Sequence, residues 1–290
     1  MSVHPGTGRY DRVAQASAAR VISGYSTSFG WATRLLAEPV RGDVRSIYAL
    51  VRVADEMVDD PDSGLYPALR RELLDGLEAE TLRAIDCGHS ANLVVHAFAS
   101  AARHHEIDHR LVRPFFASMR ADLTRTEHTG ASLDEYVYGS AEVVGLMCLK
   151  AFTGGDEEAY ERLAPAARRL GAAFQKVNFL RDLADDHDVL GRRYFPDLDP
   201  ARFTDDHRDL LLDGIDADLD VAAAGIAELP ASSRRAVQAA HALFAALSRR
   251  LRQTPAAEIR RTRVRVSDPH KALILLGALT RRSAPGRDHG

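Results

Sequence analysis

Apolar residues return every three or four positions along most of the chain. The stretch from residue 44 to 58 shows this pattern, since one helical face collects Val44, Ile47, Val51, Ala54 and Val58. Short stretches that alternate apolar and polar residues are nearly absent, which argues against a sheet. Similar helical periodicity occupies residues 68–86, 93–103, 133–152, 159–188, 219–229 and 234–252. The pattern therefore predicts an all-α protein.

Short breaks separate the predicted helices, and no long linker divides the chain. Turn residues end helices at 61–64, 153–156 and 196–197. The sequence Ser132-Leu133-Asp134-Glu135 predicts a capping box that opens another helix. We therefore expect one helical domain over residues 1–290, with flexible tails at about 1–8 and 284–290.

Composition and charge exclude several functions. The chain has 38 basic and 41 acidic residues, a net charge of −3, so we expect no nucleic-acid partner. The first residues show no signal-peptide pattern, and the apolar run 272–279 is too short to span a bilayer. Cys87 and Cys148 match no metal-binding or redox spacing. These observations predict a cytoplasmic protein, with peripheral membrane contact as an open alternative.

Two acidic rows are the candidates for chemistry. Asp55 and Asp59 are four residues apart, so both carboxylates project from one helix face close enough to share a divalent cation. The same stripe continues backward to Arg52 and Tyr48. A single carboxylate pair at this spacing is more often a solvated helix face, and that alternative stays open for this row alone.

The second row strengthens the case for a site. Gln175, Asn178, Asp182 and Asp186 recur at steps of three and four, again in one polar line with apolar neighbours. Two helices that each carry an inward acidic row can hold several hard cations between them. Mg²⁺ prefers such oxygen ligands and exchanges its waters for phosphate oxygens, so the two rows predict a diphosphate site.

The motifs resemble those of a known family. Residues 48–59 are similar to the first aspartate-rich motif of the squalene/phytoene synthase family, the head-to-head trans-isoprenyl diphosphate synthases. Residues 178–186, continuing through 191–196, resemble the second motif, and residues 136–145 resemble its tyrosine-containing central helix. The nearest likeness is to bacterial phytoene synthases, and Glu56 stands where many relatives carry Asp. The resemblance implies an isoprenoid-synthase helical bundle around a central cavity.

The resemblance also implies roles for particular residues. The implied metal ligands are Asp55, Asp59, Asn178, Asp182 and Asp186. The implied diphosphate-binding residues are Ser28, Tyr48, Arg52, Gln175, Arg181 and Tyr194. The implied catalytic residues are Asp55, Asp59, Tyr136, Asp182 and Asp186. The implied cavity lining is Phe29, Thr33, Val143, Val144, Gly145 and Phe174.

The implied reaction joins two prenyl diphosphates. One allylic diphosphate ionises, the second substrate's double bond attacks the cation, and proton loss closes a cyclopropane that a second ionisation rearranges. Tyr136 resembles a family residue near the reacting centre, which implies a role as an acid/base or as a ring that steadies the cation. Released diphosphate is the alternative acceptor of the proton. Mg²⁺ is the expected cofactor, with Mn²⁺ as its alternative, and no nucleotide cofactor is expected.

The sequence favours one product over others. Thr33 stands one turn after Phe29, where a bulky aromatic would shorten the cavity, so geranylgeranyl diphosphate and phytoene are favoured. The alternatives are squalene or dehydrosqualene from farnesyl diphosphate, or prenylation of an aromatic acceptor.

Two further features have competing interpretations. The basic segment 260–266 is either a solvated terminal segment, a flap over the diphosphates or a contact with anionic lipid. A His pair within residues 104–109 is more typical of a solvated helix end than of a zinc site.

Overall fold

The computed structural model describes residues 8–25, 30, 32–60, 64–184, 192–196, 198–199 and 202–265. Most of these residues are helical. No β-strand occurs in these ranges, and the isolated bridge between Glu127 and Arg193 is too short to be one. The predicted all-α fold is confirmed. The helices are α1 Arg9–Tyr25, α2 Val40–Asp59, α3 Pro67–Cys87, α4 Leu93–His104, α5 His109–Asp122, α6 Gly130–Val137, α7 Val143–Thr153, α8 Glu157–Arg181, α9 Asp205–Glu228, α10 Ala231–Gln253 and α11 Ala256–Ile259.

A capping box does open α6, but three residues earlier than predicted. Thr129 is the N-cap, and its side chain accepts a hydrogen bond from the Ser132 backbone N–H. The Ser132 hydroxyl in turn accepts one from the Thr129 N–H at 2.9 Å. Ser132 is therefore the third helical residue, and its hydroxyl fills the place that Glu or Gln usually takes in such a box.

Two helix boundaries differ from the prediction. α9 begins at Asp205 rather than near Leu219. Leu212 and Ile215 in its first half are buried, but the acidic residues around them, several of them paired with arginines, obscure this stripe in the sequence. Asp216, for example, accepts a hydrogen bond from Arg252 of α10. α8 ends at Arg181, and the rest of the predicted 159–188 helix lies partly outside the described residues.

Two apolar clusters form most of the core. The first gathers residues of α2 to α5 and α7 around the fully buried rings of Phe98, Phe115 and Phe116. The second gathers residues of α6, α8, α9, α10 and α11, together with residues 194–195, and includes Phe179 and Leu212. The apolar residues beside the first acidic row therefore pack in the first cluster, and those beside the second row pack in the second cluster.

A π-helical turn, Tyr138–Glu142, joins α6 to α7 and packs closely against its neighbours. A Cβ on Gly139 would overlap the Pro114 carbonyl of α5. A Cβ on Gly171 of α8 would lie 2.6 Å from the Ala141 carbonyl oxygen of the turn. Main-chain contact this close is open to glycine alone, and π-turns of this kind often mark functional sites.

In the described part of the chain, no helix combines the length and apolar character needed to cross a bilayer. The predicted tails at 1–8 and 284–290 lie outside the described residues except for Gly8.

Candidate active site

The first acidic row lies at the C-terminal end of α2. Arg52 donates to the Asp55 carboxylate at 2.5 Å and also pairs with Glu56. Its guanidinium lies 5.0 Å from the ring centre of Tyr25, where α1 ends. Removal from bulk water and the neighbouring Asp59 charge raise the pKa of Asp55 to about 7, although Arg52 opposes this shift. Two carboxylates that repel each other in this way fit a position that receives positive charge.

Asp59 is paired with a residue whose role the sequence did not indicate. Arg192 donates to the Asp59 carboxylate at 2.7 Å, and only 8 % of the Arg192 side chain is exposed. The same guanidinium donates to the Tyr194 hydroxyl at 3.4 Å and to the main-chain carbonyl of Asp122 at 3.1 Å. Arg192 thus ties the segment after α8 to the ends of α2 and α5.

Asp122 is a second residue that the sequence prediction missed. Its carboxylate is 5 % exposed, lies 3.8 Å from Arg192, and accepts a hydrogen bond of 2.8 Å from the Tyr136 hydroxyl. Burial raises the pKa of Asp122 to about 8, and the pKa of Tyr136 also rises well above its ordinary value through burial and the Asp122 charge. A signal was available, because Asp122 follows Phe115 and Met119 on the buried face of α5.

Aromatic rings surround Tyr136. Tyr194 stacks on Phe179 of α8 with ring centres 3.9 Å apart, and the Tyr136 ring lies 5.6 Å from Tyr194 and 6.0 Å from Phe179. His128 completes this group at 5.1 Å from Tyr136. The structure therefore brings Tyr136 and Tyr194, two predicted site residues, into one cluster beside the first acidic row.

The second row lies at the end of α8. Asn178 has a buried side-chain oxygen without a hydrogen-bond partner, while Gln175 is half-buried. Asp182 accepts hydrogen bonds from Arg181 and pairs with Arg263 at 2.8 Å. The last contact brings Arg263 of the basic segment onto the second row. Asp186, Ser28 and Phe29 lie outside the described residues.

The remaining predicted residues occupy separate places. Thr33 is buried and donates to the Gly30 carbonyl at 3.0 Å. Phe174 stacks on Phe244 of α10 with ring centres 3.7 Å apart. Gly145 faces the main chain of Ala167 on α8. The other three lie on α2 or α7, namely half-buried Tyr48, buried Val143 and partly buried Val144.

The donor set fits a hard cation by its chemistry. Within the ranges described above, no three His, Cys, Asp or Glu side chains already form a metal cluster. The unpartnered buried oxygen of Asn178 is nevertheless a free ligand atom. The carboxylates are held by arginines, Asp55 by Arg52 and Asp182 by Arg181. Carboxylate and amide oxygens beside arginines are suited to a cation that carries phosphate.

The histidines near residue 105 have separate partners. His105 pairs with the buried Asp43 at 2.8 Å, and His109 contacts Asp86 at 3.0 Å. These contacts tie helix ends together, and His105 is buried rather than solvated as the sequence predicted.

Comparisons with known proteins agree on one family. The squalene/phytoene synthase model matches residues 22–270. A 4,4'-diapophytoene synthase from Staphylococcus haemolyticus is 29 % identical over 178 residues, which cover 61 % of this chain and 60 % of that protein. A 15-cis-phytoene synthase from Paracoccus sp. is 29 % identical over 246 residues, which cover 79 % of each chain.

Solved structures share the fold. The crystal structure of a dehydrosqualene synthase in complex with ligand superimposes with a TM-score of 0.79 at 21 % identity, covering 93 % of this chain and 96 % of that one. A squalene synthase from Alicyclobacillus acidocaldarius has a TM-score of 0.72 at 20 % identity, with 87 % and 96 % covered. The predicted isoprenoid-synthase helical fold is therefore confirmed.

Proposed function

Because the chain belongs to the squalene/phytoene synthase family, whose members are prenyltransferases, we propose that it joins two geranylgeranyl diphosphates head to head. The product of this reaction is phytoene, formed through prephytoene diphosphate with release of diphosphate. The observation that carries the proposal is the pair of acidic rows at the ends of α2 and α8, each flanked by arginines.

The first chemical task is to make diphosphate a good leaving group. Breaking the bond between carbon and the diphosphate oxygen leaves negative charge, which fixed positive groups stabilise. Asp55, Asp59, Asn178 and Asp182 would hold Mg²⁺, which supplies positive charge to the diphosphate oxygens when bound. Arg192 is buried in its ion pair with Asp59, so it is held at the first row ready to bind a phosphate oxygen.

The second task is to protect the allylic cation. The faces of Tyr136, Phe179 and Tyr194 carry partial negative charge that attracts a cation, and all three rings are at least nine-tenths buried. Their burial also excludes water, which would otherwise react with the cation. The aromatic cluster beside the first row thus suits the second stage of the reaction.

Substrate length separates the leading proposal from its alternative. Thr33 is buried and small, which supports the longer twenty-carbon substrate. The similarity to a diapophytoene synthase and to dehydrosqualene and squalene synthase structures favours farnesyl diphosphate as the second candidate.

Product identification tests the proposal. Purified protein is incubated with Mg²⁺ and either geranylgeranyl or farnesyl diphosphate, and the hydrocarbon product is identified by mass and retention time. We expect phytoene and a higher kcat/KM for geranylgeranyl diphosphate. A higher kcat/KM for farnesyl diphosphate would replace the leading proposal by its alternative, and an incubation with chelator is the control for the metal.

A further inference from the structure

Asp122 links two parts of the candidate site. Its Oδ2 accepts the hydrogen bond from the Tyr136 hydroxyl at 2.8 Å, and its Oδ1 lies 3.8 Å from Arg192 Nη1. The same Arg192 atom donates to Asp59 at 2.7 Å. A continuous chain of polar contacts therefore runs from the aromatic cluster to the first acidic row.

Placing a carboxylate at this buried position costs free energy. Burial penalises the charged form of Asp122, and the arginine contact at 3.8 Å is longer than a direct hydrogen bond. An amide of the same size would accept the Tyr136 hydrogen bond without that penalty. An amide cannot take up a proton, whereas a carboxylate can. The presence of a carboxylate at this position therefore points to a function in proton uptake.

The hydrogen bond from Tyr136 to Asp122 also restricts the acid/base roles that Tyr136 can take. A phenol has one hydrogen, and Tyr136 gives it to Asp122, so the hydroxyl offers only lone pairs to other groups. Tyr136 remains a neutral phenol, because burial opposes its ionisation. A neutral phenol accepts a proton only as its own proton leaves, and Asp122 is the acceptor within reach.

We propose that Asp122 is a positioning residue that takes the phenolic proton of Tyr136 while Tyr136 accepts the proton lost as the cyclopropane closes. This inference rests on the proposed function. In the step, a C–H bond of the cationic intermediate breaks and its electron pair forms the last bond of the ring. The substrate proton bonds to Tyr136 Oη, and the phenolic proton moves to Asp122 Oδ2. The step uses the ionised form of Asp122, which Arg192 stabilises and whose fraction grows as pH rises through about 8. The proton passes to water or to diphosphate as product leaves.

Isotope effects on two variants test the proposal. Asp122→Asn retains a hydrogen-bond acceptor for Tyr136 but takes no proton. We expect this variant to lower kcat about 100-fold with little change in KM. The isotope effect is then measured with substrate deuterated at the carbon that loses the proton. The primary isotope effect should exceed that of the wild type, because proton removal then limits the rate. Tyr136→Phe should behave similarly, and the double variant should be no slower than the slower single variant.

A matched control separates this role from a structural one. Asp218 of α9 is equally buried and accepts hydrogen bonds of 2.9 Å from both Arg169 and Lys176 of α8. Asp218→Asn should keep the wild-type isotope effect.

Three results would overturn the inference. The first is Asp122→Asn at the wild-type rate, and the second is a slower Asp122→Asn whose isotope effect does not rise. The third result applies if Asp122→Asn fails to fold, and it is a Tyr136→Phe variant that turns over at the wild-type rate. A wild-type protein that condenses no allylic diphosphate would overturn the proposed function as well, so the two failures are distinguishable.

Discussion

The close contact between Gly171 of α8 and the π-helical turn leads to a prediction about the stability of Gly171→Ala. A Cβ added at Gly171 would lie 2.6 Å from the Ala141 carbonyl oxygen and 3.1 Å from the Glu142 Cα. Both atoms belong to the main chain, so no side-chain rotation relieves the overlap. The Gly171→Ala change gains about 1 kcal/mol of helix propensity. Overpacking costs about 1–3 kcal/mol, and we expect its upper end because the backbone itself must move.

The expected net effect is a loss of about 2 kcal/mol in the free energy of unfolding, or a Tm about 4–8 °C lower. Gly76→Ala in α3 is the matched control, because a Cβ there meets nothing within 4 Å. It should raise the free energy of unfolding by about 1 kcal/mol. Thermal and urea unfolding followed by circular dichroism measure both variants. Gly171→Ala as stable as the wild type would refute the argument from close packing.

Three further predictions concern the charged groups. Asp55→Ala and Asp182→Ala should each abolish turnover while circular dichroism shows an unchanged helical fold, since these carboxylates serve the site and not the core; near-normal turnover in either would contradict the site. Arg263→Ala removes the 2.8 Å ion pair with Asp182, and we expect a severalfold higher KM with unchanged Tm if the basic segment covers the diphosphates; unchanged kinetics would dismiss that role. Because burial raises the pKa of Asp122 from 3.8 to about 8, its contribution to stability is present below about pH 4 and is lost as pH rises through about 8. Asp122→Asn should therefore lose less Tm than the wild type between these pH values, and an equal loss would refute the assigned shift. Asp55, with its pKa raised to about 7, keeps part of the same pH dependence in both proteins.

Periodicity predicted the helices and the two acidic rows because both are properties of single helix faces. Residues 44 to 58 show this, since the apolar positions at 44, 47, 54 and 58 are buried along α2. The prediction missed the first half of α9, where buried Leu212 and Ile215 keep the helical spacing to Leu219 but stand among acidic residues that pair with arginines.

Long-range partners explain what the sequence left out. Arg192 and Asp59 are 133 positions apart, and Arg192 reaches Asp122 across 70 positions. Spacing within one helix carries no information about such pairs. Asp122 continued the buried stripe of α5, so a polar residue on an apolar face was the available signal. Its partner Tyr136 became known only once the fold brought α5 and α6 together.

Calorimetry with inorganic diphosphate tests the central claim most directly. The account holds that oxygen ligands at the ends of α2 and α8 bind diphosphate through Mg²⁺. Titration into the wild-type protein should show binding that strengthens markedly when Mg²⁺ is added, and Asp182→Ala should lose that Mg²⁺-dependent gain. Binding that is indifferent to Mg²⁺, or a gain that survives in Asp182→Ala, would contradict the account.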